Sequence, residues 1–165
     1  MFDTNIFNKI FDENIDITNF PKTNNYYITH IQKDEIEKIK DPTRKNKIKQ
    51  LFILINEEIA TDSFVLGYST FGKAKLSSIK IKQIPTESMV WDKSKWGSAK
   101  WSSENNTLLD YIRQGNLKHT EDALIGETAI KNKIILVTED KKFRKKICAL
   151  NGKAITFKDF IDCNF

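Results

Sequence analysis

Cysteine is scarce in this chain: Cys148 and Cys163 are the only two in 165 residues. They show none of the paired short spacings of structural zinc sites, so they read as reduced thiols. Only three prolines and six glycines occur. No Pro-rich or Gly/Ser-rich linker and no internal repeat divides the chain, and residues 1–165 read as a single domain. Long apolar runs are also missing. The longest strongly apolar stretch, Leu51 to Ile55, falls far short of the roughly 20 residues that a bilayer requires, which excludes a membrane span. The first twenty residues carry Asp3, Asp12, Glu13 and Asp16 in place of the basic start and apolar core of a signal peptide, so a cytoplasmic location is expected. His30 and His119 are the only histidines, and neither lies near a Ser or Cys nucleophile motif. Neither is assigned a role.

With 39% hydrophobic and 30% charged residues the chain has the make-up of a globular protein. A domain of this size buries roughly two-thirds of its unfolded surface, enough to fold without disulfides or a structural metal. The net charge of +5 and pI near 9.1 favour polyanionic partners.

Periodicity predicts alternating elements. An extended stretch at Tyr26 to Ile31 precedes a helical run from Lys33 to Lys40, which Asp41-Pro42 interrupts. A longer helix should follow, with Ile48, Leu51, Phe52, Ile55 and Ile59 on one face. Ser63 to Leu66 and Glu87 to Trp91 read as short strands, and Lys93 to Trp101 and Thr107 to Arg113 as helical stretches. The role of the segment 63–118 is otherwise undefined. Toward the end the pattern sharpens: a helix from Glu121 to Asn132, a strand Ile134 to Val137, a helix from Glu139 to Leu150, and a short strand Ala154 to Thr156. Strands and helices alternating at this spacing predict an α/β fold, a central parallel sheet with helices on both faces.

In such a sheet ligands bind outside the carboxyl ends of the strands, which directs attention to acids just beyond apolar segments. Asp140 follows Ile134-Ile135-Leu136-Val137, with Thr138 placed to cap the next helix. Asp122 opens the run Ala123-Leu124-Ile125-Gly126, Glu35 follows the Tyr26 to Ile31 stretch, and Asp3 stands in Asp3-Thr4-Asn5. Taken singly, each acid is equally accounted for as a helix cap or first-turn acid, worth roughly 0.3–1 kcal/mol.

These segments together resemble the PIN-domain family. Asp3-Thr4-Asn5-Ile6-Phe7 resembles its opening D-x-N motif, and Ile28 to Ile36 its strand-to-helix segment, with the acid at Glu35 and Asp34 and Glu37 as neighbours. Thr120 to Ala129 resembles the third motif, and Leu136 to Phe143 the T-x-D segment with its trailing aromatic. The likeness covers about Met1 to Lys40 and Leu117 to Phe160 and leaves an enlarged middle segment. Fewer apolar residues precede Asp3 than the family's first strand supplies.

The resemblance implies a PIN-like, Rossmann-like three-layer domain and a metal-dependent endoribonuclease, related to the VapC-like toxins of toxin–antitoxin pairs. Asp3, Glu35, Asp122 and Asp140 would be its catalytic and metal-binding residues, and Asn5 and Thr138 would fix the acids by hydrogen bonds. Glu121, Glu127 and Glu139 stand in reserve for a second ion. Hard oxygen donors without a companion Cys or His set select Mg²⁺ or Mn²⁺. A protein antitoxin and a homodimer are the partners implied besides RNA.

Lys141, Lys142, Arg144, Lys145 and Lys146 crowd one helix, and Arg44, Lys45, Lys47 and Lys49 another. Either set reads as a phosphate grip or as a solvated helix face. Trp91, Trp96 and Trp101 recur every five residues among lysines, a pattern that fits base stacking or a buried core. Two other classes of function compete: a catalytically inactive PIN-fold module that binds nucleic acid or protein, and a different carboxylate enzyme, a phosphatase or phospho-accepting receiver. Against the last, the D-x-N opening lacks the second acid of an Asp-nucleophile phosphatase.

Overall fold

A computed structural model describes residues 1–17, 20–55, 57–65, 67–70, 72–75, 108–114 and 116–162. The expected strand Glu87 to Trp91, the helical stretch Lys93 to Trp101 and all three tryptophans lie outside the described residues.

The described elements run α1 (Thr4–Asp12), β1 (Tyr27–Ile28), α2 (His30–Glu37), α3 (Pro42–Gln50), β2 (Glu57–Glu58), α4 (Leu108–Arg113), α5 (Thr120–Lys131), β3 (Leu136–Val137), α6 (Lys141–Ala149), β4 (Ala154–Ile155) and α7 (Phe157–Asp162). Asp41 caps α3 through Thr43 N and Pro42 occupies its first turn, so the expected break falls where proline's ring dictates. The helix after it is shorter than its apolar period suggests. It passes at Leu51 into a 3₁₀ turn, and Ile59 lies beyond β2. Leu51, Phe52 and Ile55 still pack on the core. Ser63 to Val65 form a loop, not the expected strand.

Among the described residues the strands pair in parallel: Tyr27 with Glu57 and Ile28 with Glu58 in one pair, Leu136 with Ala154 and Val137 with Ile155 in the other. The chain start adds an edge to the second pair. Met1 N donates to Ile135 O at 2.9 Å, Val137 N to Met1 O at 2.9 Å, and Asp3 N to Val137 O at 3.0 Å. Met1 to Asp3 thus lie as a parallel edge beside β3, with Phe2 bridged to Val137.

A single continuous central sheet, as expected from the sequence, is not formed among the described residues; two short parallel pairs stand instead. Between them lies the side chain of Gln32, whose Nε2 donates to Phe2 O at 2.8 Å while its Oε1 accepts from Thr29 N at 2.6 Å. A carboxamide therefore occupies the place where a strand-to-strand peptide bond pair would lie.

Consecutive strand residues feed opposite hydrophobic clusters. Phe2 and Val137 join Ile6, Phe7, Ile28, Ile48 and Phe160. Met1 and Leu136 join Leu109, Ile112, Leu124, Ile125, Phe143 and Ile147. This alternation is the period-2 geometry of a strand with helices packed on each side. Phe2 touches five rings, those of Phe7, Phe20, Tyr26, Phe157 and Phe160, and so pins the backbone immediately before Asp3. Among the described residues no helix is long and apolar enough to cross a membrane.

Candidate active site

Asp3 leaves the first strand segment as the N-cap of α1 and is only 5% exposed. Its Oδ1 accepts from Thr4 N at 2.7 Å, and its Oδ2 from Asn5 Nδ2 at 2.7 Å and Thr138 Oγ1 at 2.6 Å. Asn5 also donates to Thr138 Oγ1 at 3.1 Å and accepts from Glu139 N at 3.4 Å. The two residues expected to steady the acids are thus both bonded to Asp3.

Thr138 does not cap α6, as its position had suggested. Asp140 is the N-cap itself, accepting from Lys142 N at 2.7 Å and Phe143 N at 2.9 Å through one oxygen. The physical reason is reach: Thr138 is buried two residues earlier, and its hydroxyl is engaged by Asp3, Asn5 and Asp140 N. Asp140 is exposed while Asp3 is buried, so the cluster grades from interior to solvent.

Glu35 belongs to α2, which starts at His30 rather than Lys33 because Thr29 and Gln32 form a capping box there. His30, expected within a strand, is the first residue of that helix and is buried, with Nε2 accepting from Thr70 N at 3.3 Å. Of the three acids Asp34, Glu35 and Glu37, it is Glu35 that turns toward Asp3. The Thr4 hydroxyl donates to its Oε2, whereas Asp34 is exposed and Glu37 pairs with Lys45 and Lys49.

Asp122 and Glu121 come from the first turn of α5. Close approach of α5 and α6 depends on Gly126, where a Cβ would fall 2.6 Å from Ile147 Cδ1 and 3.0 Å from the Phe143 ring. Any larger residue would have to displace the Ile147 δ-methyl and crowd the Phe143 ring, both on the helix that Asp140 caps.

Mutual repulsion shows in the proton affinities. Burial, reinforced by Asp122 and Asp140, pushes the Asp3 carboxyl up to about 6 even though Thr138 and Thr4 N favour its anion. Burial also raises Glu35 to about 7, with the Glu121 and Asp3 charges adding to the shift against the opposing Thr4 bond. Asp122 is raised by burial and by Asp140 and Glu121, while His119 works in the opposite direction.

Two residues given lesser parts or none by sequence reasoning stand here. Glu121, held only in reserve, hydrogen-bonds Glu35 and pairs with Lys38 at 2.7 Å. His119 Nδ1 lies 3.7 Å from Asp122 Oδ2. Its position three residues before Asp122 was the available signal, since i and i+3 share a helical face. The other reserves lie apart: Glu139 pairs with Lys9 at 2.9 Å, and Glu127 is buried along α5 with Lys131 at 2.7 Å.

Among the described residues no three carboxylate, imidazole or thiol side chains sit close enough to share one cation in these rotamers. The fit to Mg²⁺ or Mn²⁺ is therefore one of donor chemistry and charge: hard oxygens whose crowding a divalent ion would relieve. No family model matches this chain, and no curated protein or solved structure matches it.

Proposed function

We propose that this chain is a metal-dependent endoribonuclease of the PIN type, hydrolysing RNA phosphodiester bonds. The observation that carries the reading is that Asp3, Glu35, Asp122 and Asp140 come from four separate elements, where burial first and neighbouring acids second, Asp122 and Asp140 for Asp3 and Glu121 and Asp3 for Glu35, favour the protonated forms. Such strain has no structural benefit, and a cation relieves it. The two parallel pairs fit this reading as halves of one sheet, ordered β2, β1, the Phe2 segment, β3, β4, and interrupted only at Gln32.

Asp3, Asp122 and Asp140 would hold Mg²⁺ or Mn²⁺, which when bound supplies activation of water and charge compensation at the scissile phosphate. Thr138 and Asn5 hold Oδ2 of Asp3 and Thr4 N holds Oδ1, which fixes the carboxylate. Glu35, with its affinity near neutrality and its Oε2 steadied by Thr4, takes the proton of the attacking water. A water oxygen–phosphorus bond forms, the bond to the leaving oxygen breaks, and that oxygen is protonated from solvent. The chain would act in the cytoplasm as the toxin of a toxin–antitoxin pair, with a protein antitoxin as partner and a homodimer as its working form.

Purified protein should cleave RNA with Mg²⁺ or Mn²⁺, and Asp3→Asn or Asp140→Asn should abolish cleavage. Undiminished activity in either variant, or in excess chelator, overturns the proposal. One observation favours a non-catalytic module of the same fold: the absence, among the described residues, of a ready three-donor cage. A metal-dependent rise in melting temperature with no cleavage of any RNA offered would select that reading.

A further inference from the structure

Two helices of this protein are crowded with cations, and the structure treats them in opposite ways. Neither α3, PTRKNKIKQ, nor α6, KKFRKKICA, contains an acid of its own. The charge of α3 is met from neighbouring helices. Arg44 pairs with Asp12 at 2.9 Å and donates to Asn8 at 3.0 Å, Lys45 and Lys49 pair with Glu37, and Lys47 lies 5.6 Å from the centre of the Phe11 ring.

On α6 only the inward cations are engaged, and by backbone carbonyls: Arg144 with Thr138 O at 2.8 Å and Lys146 with Ile112 O at 3.2 Å. Lys141, Lys142 and Lys145 are exposed and form no ion pair with any described carboxylate. Asp159, which feels the Arg144 charge, is held by the Thr156 hydroxyl and amide.

This arrangement works against the helix. Lys141 and Lys142 stand in the first turn, at the positive end of the dipole, and Lys141 with Lys145 and Lys142 with Lys146 are like-charge pairs one turn apart. The first amides are already capped by Asp140, so the helix start is not itself an anion site. A local rule broken with no compensating acid among the described residues marks a place where a partner comes from outside.

We propose that the exposed face of α6 is the track for the phosphate backbone of a single nucleic-acid strand on one side of the scissile bond, gripped by Lys141, Lys142 and Lys145, and that α3 takes no part. The inference rests on the reading that the acids around Asp140 cut such a strand. Lys141 and Lys145 are about 6 Å apart along the axis, the scale of one nucleotide step. A lipid surface suits this face poorly, because its other exposed residues, Cys148 and Ala149, offer no large apolar group for insertion.

The test is equilibrium binding of a fluorescein-labelled single-stranded RNA to the full chain in excess chelator, so that cleavage plays no part. Wild type is compared with the triple Gln variants at Lys141, Lys142 and Lys145 and at Lys45, Lys47 and Lys49, which change net charge equally. The slope of log affinity against log salt should fall by about 2 in the α6 variant and by well under 1 in the α3 variant. In a Cys163→Ser background, RNA should also shield Cys148, on the same face, from maleimide. Equal slopes in the two variants, or an unshielded Cys148, overturn the proposal. So does loss of binding to anionic phosphatidylserine vesicles with RNA binding intact. A chain that binds RNA along α6 but cuts none would overturn the nuclease reading alone.

Discussion

The hydroxyl of Thr138 donates to Oδ2 of Asp3 at 2.6 Å across 135 residues of chain. The same hydroxyl accepts from Asn5 Nδ2 and Asp140 N, so one oxygen links the opening segment to the turn after β3. Thr138→Val keeps the shape of the side chain and removes all three bonds. We expect a loss of about 1–3 kcal/mol in urea unfolding, with Thr138→Ser close to wild type. Stability unchanged in the valine variant would show that the bond does not organise the site.

Asp3 and Glu35 make stability depend on pH in a direction opposite to most carboxylates. Their folded-state affinities, about 6 and about 7, lie above the ordinary 3.8 and 4.5, so between these values the folded chain binds more protons than the unfolded one. Their contribution is fully present below about pH 4 and is lost as pH rises through 6 and 7, a change on the order of 3 kcal/mol for Asp3. Between pH 5.5 and 8 the buried Met1 amine, lowered from 8.0 to about 5, changes stability in the opposite sense, so the effect is read as a difference between proteins that share that amine. Glu35→Gln, whose amide can donate to Glu121, should gain stability relative to wild type as the pH of metal-free protein rises from 5.5 to 8. A difference in melting temperature between wild type and variant that stays constant over that range would contradict the assignment.

Metal should reverse that dependence. A divalent ion competes with protons for the same oxygens, so the rise in melting temperature on adding Mn²⁺ should be larger at pH 8 than at pH 5.5. At ten times the dissociation constant the gain is about 1.4 kcal/mol. Isothermal titration in two buffers of different ionisation enthalpy would detect the released protons, and none released at pH 6.5 would count against Asp3 and Glu35 as the groups involved.

The carboxamide of Gln32 satisfies Phe2 O and Thr29 N together, both in buried surroundings. Gln32→Leu strands the two backbone groups and should cost about 2–5 kcal/mol. Hydrogen exchange at Thr29 should accelerate markedly. Protection at that amide equal to wild type would mean that the two strand pairs are joined by some other route.

Gly126→Ala places a methyl group 2.6 Å from Ile147 Cδ1. The Ile147 δ-methyl and the Phe143 ring must give way, by side-chain rotation or by separation of α5 and α6, at a cost of about 1–3 kcal/mol. Because Asp122 and Asp140 ride on these helices, metal affinity should drop as well. Wild-type metal affinity in a destabilised variant would uncouple the packing from the site.

Local chemistry was enough to mark Asp122 at the start of its helix and the break at Asp41-Pro42, which neighbours in the chain decide, whereas the helix that Asp3 caps was not expected and Asp140, expected in a first turn capped by Thr138, is itself the cap. Helix starts were less legible: α2 begins at His30 because the Gln32 side chain reaches back to Thr29, which no apolar period records. Three matters belonged to the tertiary structure alone. It turned Glu35 inward from among Asp34, Glu35 and Glu37, drew Thr138 away from capping and onto Asp3, and met the charge of α3 with acids while giving Lys141, Lys142 and Lys145 no ion pair among the described residues. The reason is common to all three. Periodicity assigns a residue to a face, but the partner a charge or hydroxyl meets there comes from a distant segment, and only packing brings that segment within the 3 Å or so at which a hydrogen bond is made.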